Sequence, residues 1–334
     1  RSNILVTRST IPSLFGLSVP QDSYGKAESK GFEITLGHHN NIGNFNYYIE
    51  GMLSWNTNKI TEMDEVEPNV PWQRKTGKRI FDYAVADGAC DGNVGGWNVF
   101  IFQQWASDPN LIPTSQQDAI DHPEKYPYHS AAGSGQQLGT AVFKDLNGDR
   151  LIDTNDMTPT GYTMMPELTP SVNIGFSWHG FDARAVLTAY LNRSVMCREN
   201  MAYSGWGKMG THEVVNAWGY YTDDPTDPRN INAKYPRPTT NGFNPIDSQG
   251  DYQKNTIWHT NGDFLSLRNI EIGYSLPKAW IAKANLTKCR FYFSGYNLYT
   301  WSHLPKGFDP EKPTSYLWWY PKTKSFSVGI NVGF

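Results

Sequence analysis

Between residues 145 and 156 the oxygen-bearing side chains recur at the intervals of a calcium loop. Asp145, Asn147, Asp149, Leu151, Asp153 and Asp156 stand at positions 1, 3, 5, 7, 9 and 12, with Leu151 offering its backbone carbonyl. Four Asp side chains so close together repel one another, and a hard divalent cation with all-oxygen ligands relieves that repulsion. Position 6, where the chain normally turns through the left-handed region, holds Arg150, at a cost of about 1 to 2 kcal/mol relative to Gly. The expectation is one structural calcium ion. The competing reading is an Asx-rich turn that holds no ion.

A second group of candidates is aromatic. Trp97, Trp105, Trp206, Trp218, Tyr220, Tyr221, Trp258, Trp318 and Trp319 fall between regular segments, where such rings stack on sugars or simply pack. The cluster Trp218, Tyr220 and Tyr221 is the expected substrate contact, on a loop facing a lumen. His38, His39, His122, His129, His179, His212, His259 and His303 show no metal spacing, and neither a GxSxG elbow nor an HExxH motif occurs. No catalytic residue and no enzymatic activity are expected. Cys90, Cys197 and Cys289 allow one disulfide but no framework and no zinc site. Asn192-Arg193-Ser194 and Asn285-Leu286-Thr287 match the glycosylation pattern by chance.

The elements that must position these residues are strands. Aromatics make up 14% of the chain, with 12 Trp, 19 Tyr and 30 Gly, while charged residues are only 18%. That mixture fits strands and long loops better than helices. No apolar run reaches the roughly 20 residues of a membrane-spanning helix. A net charge of -3, evenly spread, argues against a nucleic-acid surface. Arg1-Ser2-Asn3-Ile4-Leu5-Val6 is too short an apolar run for a signal peptide, so the chain is expected to begin inside a longer protein or to have been processed.

A strand with lipid on one side and water on the other must alternate apolar and polar side chains. Phe326, Val328, Ile330, Val332 and Phe334 alternate with Ser325, Ser327, Gly329, Asn331 and Gly333. Val172, Ile174, Phe176 and Trp178 do the same, and after His179-Gly180 so do Phe181, Ala183, Ala185 and Leu187. Phe32, Ile34 and Leu36 precede a turn near residues 40 to 43, with Phe45, Tyr47, Ile49, Leu53 and Trp55 beyond it. Leu265 and Leu267 lie out of phase with Ile270, Ile272 and Tyr274, which predicts a β-bulge near Arg268-Asn269. Cys289, Phe291 and Phe293 start a further strand toward Trp301, and another ends near Thr7, about eight in all. Short turns near 40 to 43, 178 to 182 and 276 to 287 fall on one side. Long stretches at 10 to 30, about 58–167, about 194–262 and 302 to 322 fall on the other. That asymmetry is the mark of an outer-membrane barrel, with short periplasmic turns and long extracellular loops. Arg184 and Glu50 should then face the lumen, and Phe326 and Ile330 the lipid.

Several passages stand out in order along the chain: Ile11 to Pro20 with Lys30 to Leu36, Phe143 to Asp149, Phe264 to Pro277, Ser294 to Trp301, Asp309-Pro310-Glu311 and Tyr320-Pro321. In their residues and their order they resemble passages of the SusC/RagA family of TonB-dependent outer-membrane transporters. The resemblance implies an all-β, transmembrane antiparallel β-barrel, of which residues 1-334 would supply about eight C-terminal strands out of roughly 22. Neither a plug domain nor a TonB box is seen in these residues.

By that resemblance the protein imports a nutrient, a glycan or peptide oligomer, across the outer membrane of a Gram-negative bacterium of the Bacteroidota. Its implied partners are a SusD-like surface lipoprotein, TonB acting through a plug, outer-membrane lipid and the remaining N-terminal barrel strands. Phe334, closing the terminal strand, would be the barrel-assembly signal. Two other readings stand beside this one: a non-transporting outer-membrane scaffold for a surface complex, and a soluble carbohydrate-binding sandwich.

Overall fold

The computed structural model describes residues 1–7, 21–80, 98–112, 116–122, 125–126, 129–130, 138–159, 162–196, 214–239, 242–243, 255–304, 308–311 and 322–334. Eight of its strands form one antiparallel sheet: β1 (Ile4–Thr7), β2 (Gln21–Ile42), β3 (Phe45–Glu62), β4 (Leu168–Trp178), β5 (Phe181–Tyr190), β6 (Phe264–Ser275), β7 (Lys288–Ser302) and β8 (Ser325–Gly333). Each strand pairs with the next in sequence, so the sheet is a pure up-and-down meander. Every connection therefore joins neighbours, and long insertions at one end leave the ladder intact.

Tight turns pin the register at one end. His179 (φ 47°) and Gly180 (φ 88°) connect Trp178 to Phe181 with both central residues left-handed, the backbone of a hairpin turn matched to strand twist. Residues 43 and 44 join Ile42 to Phe45 in the same tight way. Between β6 and β7 the chain instead makes two short helical turns, Lys278–Ile281 and Ala282–Ala284, before Asn285 turns left-handed. The bulge expected from the phase change is present. Arg268 is skipped in the pairing of β6 with both β5 and β7, and its guanidinium reaches Glu311 at 2.5 Å. The extra residue re-aims a side chain out of the alternation, which is what such bulges do.

Register converts alternation into horizontal rows. Phe45, Trp178, Phe181, Tyr274 and Phe291 pair in succession across five strands, forming an aromatic girdle beside the short turns. Phe32 and Trp55, paired and stacked at 5.6 Å, mark the far edge of the same face. Ten residues of β3 separate Phe45 from Trp55, about 33 Å along the strand. Tilted as such strands are, they rise about 25 Å, the height of the apolar band of an outer-membrane barrel.

The strands at the long-loop end run further than alternation suggested. β2 begins at Gln21 and β3 ends at Glu62, inside stretches expected to be loop. Lys26 pairs there with Glu62, and Glu28 with Lys30 and Lys59. Once a hairpin rises above the lipid it is wet on both faces, so alternation stops while backbone pairing continues. The long connections are also not structureless. They fold into a layer with two hydrophobic clusters, one around Val99, Val195, Ala217, Tyr235 and Trp258, the other around Phe100, Trp105, Phe143, Ile152, Met157 and Trp218.

Candidate functional site

The polar face of the sheet is a chain of paired groups. Gly175 faces Arg184 across β4 and β5, and Arg184 faces Glu271 across β5 and β6. Arg184 donates to Glu271 at 2.8 Å, Glu271 also accepts from Arg290 at 2.9 Å, and Arg290 closes the series on Asp182. Further along, Asn173 donates to Glu50 at 3.0 Å and accepts from the Tyr48 hydroxyl at 3.4 Å. Two of these long side chains lie flat because glycine leaves them room. A Cβ on Gly273 would sit 2.3 Å from Arg290 Nη2, and one on Gly175 would sit 2.4 Å from the Tyr48 ring. Arg184 and Glu50 thus share the polar face, opposite Ile174 and Phe176. In a barrel that face lines the lumen, where charge is solvated and costs little, whereas Arg at mid-depth in lipid costs about 2 to 4 kcal/mol.

Above the long-loop rim the expected aromatic contact divides. Trp218 is 1% exposed, packed in the second loop cluster with the Arg237 guanidinium 5.6 Å over its ring. It cannot stack on a ligand in this arrangement, which corrects the expectation for that residue: the loop layer needed a large apolar anchor. Trp105 and Trp258 are buried in the same layer. Tyr220 and Tyr221 are different. They are 47% and 56% exposed, edge to face at 4.7 Å, with Arg229 at 5.0 Å over the Tyr221 ring. Trp97, Trp206, Trp318 and Trp319 lie outside the described residues, as do Cys90 and Cys197, while Cys289 is a free, buried thiol.

Arg193 escaped the sequence reading, where it was only the middle residue of a sequon. Its Nε donates to the Met164 carbonyl at 3.0 Å, and its Nη1 donates to the carbonyls of Gly262 and Pro310 at 3.2 and 2.7 Å. One planar fork therefore ties three separate connections together at the barrel rim, a geometry Lys could not reproduce. Burial lowers its pKa, opposed by the nearby charges of Asp263 and Glu311. Nothing in the local sequence distinguishes it from an exposed arginine.

The loop 145–156 is a ladder of Asx turns. Asp145 accepts from the backbone N–H of Gly148 at 2.6 Å and of Arg150 at 2.9 Å, Asn147 from Asp149, and Asp149 from Leu151. Asp153 and Asp156 form a reciprocal capping box over Thr154–Asp156. Arg150 does adopt the left-handed conformation, at φ 67°, despite its side chain. Among the described residues no three His, Cys, Asp or Glu side chains converge as a metal site. The donor set is nonetheless all oxygen, and carboxylate oxygens that accept one N–H keep a further lone pair. Asp156 has no exposure to solvent, and burial, with the charge of Asp145 beside it, raises its pKa.

No protein-family model matches the chain. Relatives do. It is 24% identical over 345 residues to TonB-dependent receptor P3 of Formosa agariphila, covering 97% of this chain and 30% of the relative. It is 24% identical over 359 residues to TonB-dependent receptor P26 of the same organism, covering 100% and 32%. The RagAB peptide transporter structure superposes on all of the chain with a TM-score of 0.64 at 17% identity, using 32% of the solved chain. The RagAB peptide importer in its open-open state gives 0.65 at 16% identity, using 31%. The chain spans about a third of the length of the relatives it matches. Fold, faces and relatives define a segment of an outer-membrane β-barrel. More particularly, the chain is similar in sequence to a portion of TonB-dependent receptors and shares its fold with part of the RagAB transporter barrel, and its place is the outer membrane of a Gram-negative bacterium.

Proposed function

We propose that these residues form the C-terminal strands of a TonB-driven importer, and that the whole protein carries a glycan or peptide oligomer inward with a SusD-like surface lipoprotein. The observation that supports this most directly is the built mouth: a loop layer with its own cores, riveted by Arg193, standing above a wall lined by paired charges. In this reading Tyr220 and Tyr221 present their rings to substrate, and the plug and remaining strands come from upstream sequence. The loop 145–156 takes up one calcium ion through Asp145, Asn147, Asp149, Leu151, Asp153 and Asp156. Phe334 serves as the assembly signal.

The test uses the whole protein in its native outer membrane, with labelled oligosaccharide and oligopeptide pools supplied outside. Uptake that stops on depletion of TonB, and that falls when Tyr220 and Tyr221 are both changed to Ala, supports the proposal. A barrel that captures its surface lipoprotein yet moves neither pool, with or without TonB, would establish the scaffold reading instead.

A further inference from the structure

The lipid face has a hollow, and register explains it. Two consecutive rows run Ile49–Ile174–Ala185–Ile270 and Tyr47–Phe176–Ala183–Ile272 across β3, β4, β5 and β6. β5 places Ala in both rows while its neighbours on either side place Ile or Phe. Side chains that end at Cβ between longer ones leave a trough along β5. It stops at the Phe181 row on one side, where Phe181 and Tyr274 pack at 4.5 Å, and at Leu187 paired with Leu267 on the other. The resulting cavity is about 520 Å³, walled chiefly by Ile174, Phe176, Ala183, Ala185, Ile270 and Ile272. That volume lies within the usual range of ligand sites.

We propose that this trough seats one acyl chain of a phospholipid from the periplasmic leaflet. Its position selects the leaflet. Ala183 and Ala185 lie two and four residues from Phe181 in the girdle, about 7 and 14 Å along the strand. After tilt both fall short of the bilayer midplane, which is about 15 Å from the interface. Its chemistry selects the ligand. The lining is almost wholly apolar: Arg184 and Tyr48 border it but belong to the polar face, and the Tyr47 hydroxyl lies 3.2 Å from His38 Nε2. A sugar or peptide would therefore lose its water with little hydrogen bonding in return, which is unfavourable. A hydrocarbon chain loses nothing. One wall is held in place by stacking of Phe45 on Phe176 at 5.8 Å, so the trough is a fixed shape against which a chain gains contact that fluid lipid elsewhere does not offer.

The test is phospholipid retention by the whole purified protein after exhaustive exchange into detergent, read by native mass spectrometry. The parent protein should retain one phospholipid. A variant combining Ala183→Leu and Ala185→Leu fills the trough but still presents hydrocarbon to lipid. Its retention should fall roughly tenfold, the equivalent of two buried methylenes. Val328→Leu, on the exposed face of β8, is the control and should retain lipid like the parent. The single variant Ala185→Leu repeats the measurement should the double one fail to assemble, and should show an intermediate loss. Equal retention in all four proteins, or no retained lipid in the parent, overturns the proposal. So does a dimer of the whole protein that dissociates in the filled variants, since a second copy would then be the occupant.

Discussion

Asp156 is closed off from solvent, with the N–H groups of Leu146 and Asp153 on its two oxygens. Burial, and then the neighbouring charge of Asp145, raise its pKa. A carboxyl raised in the folded state contributes its stability at low pH and loses it as pH rises through the raised value. Without a divalent cation the 145–156 loop should therefore loosen between pH 4 and neutrality, and calcium should reverse the change. Hydrogen exchange of this loop in calcium and in chelator at both pH values reads the effect; identical protection at neutral pH would remove the calcium proposal. Arg150→Gly should stabilise this loop by about 1 kcal/mol in calcium and in chelator alike, since the left-handed strain it releases is already present at φ 67°. His259 behaves oppositely. Burial lowers its pKa from 6.5 to about 4, and its Nε2 has no partner among the described residues. That depressed value makes its contribution present above pH 6.5 and lost as pH falls toward 4. The loop layer should open in mild acid, visible as increased exchange at residues 255–261, and His259→Leu should abolish the acid step. The calcium spacing was legible because a loop motif is local; the isolation of His259 was not, because its surroundings come from distant segments.

The hairpins show what local patterning reads well and where it stops. The His179-Gly180 turn was visible because only certain residues tolerate two successive positive φ angles. Gly180→Ala should cost about 1 to 2 kcal/mol from its conformation alone, and the new Cβ would also meet the Ser275 carbonyl oxygen at 2.7 Å. Gly43 has a similar φ of 62° but open space around it. On unboiled gels the whole protein bearing Gly180→Ala should therefore lose its folded band at a lower temperature than the one bearing Gly43→Ala. Equal melting would mean that the approach of β6 to this turn is unimportant. The bulge at Arg268 was legible as a phase change. The extension of β2 to Gln21 was not, because alternation reports where lipid lies, and not where hydrogen bonding ends.

At the scale of the molecule, β1 and β8 stand at the two edges of the sheet. Lipid cannot satisfy open strand edges, so eight strands with this inner face need further strands to close. Residues 1–334 expressed alone should give no heat-resistant folded band in outer membranes, and co-expression with the upstream part should restore one. Deleting Phe334 from the whole protein should lower the amount assembled; unchanged assembly would leave that residue only a packing role. The amino-acid sequence by itself determined the faces of the strands, the bulge, the tight turns and the side bearing long loops, because each depends on neighbours within a few residues. It left open which loop aromatics are buried, since Trp218 and Trp258 pack in clusters that draw in residues from as far along the chain as Val99 and Phe100. Tertiary structure alone aligned Phe45, Trp178, Phe181, Tyr274 and Phe291 into a girdle and set two alanines of β5 between isoleucines and phenylalanine. Rows of that kind are fixed by register between strands far apart in the chain, which hydrogen bonding decides only once the strands have met.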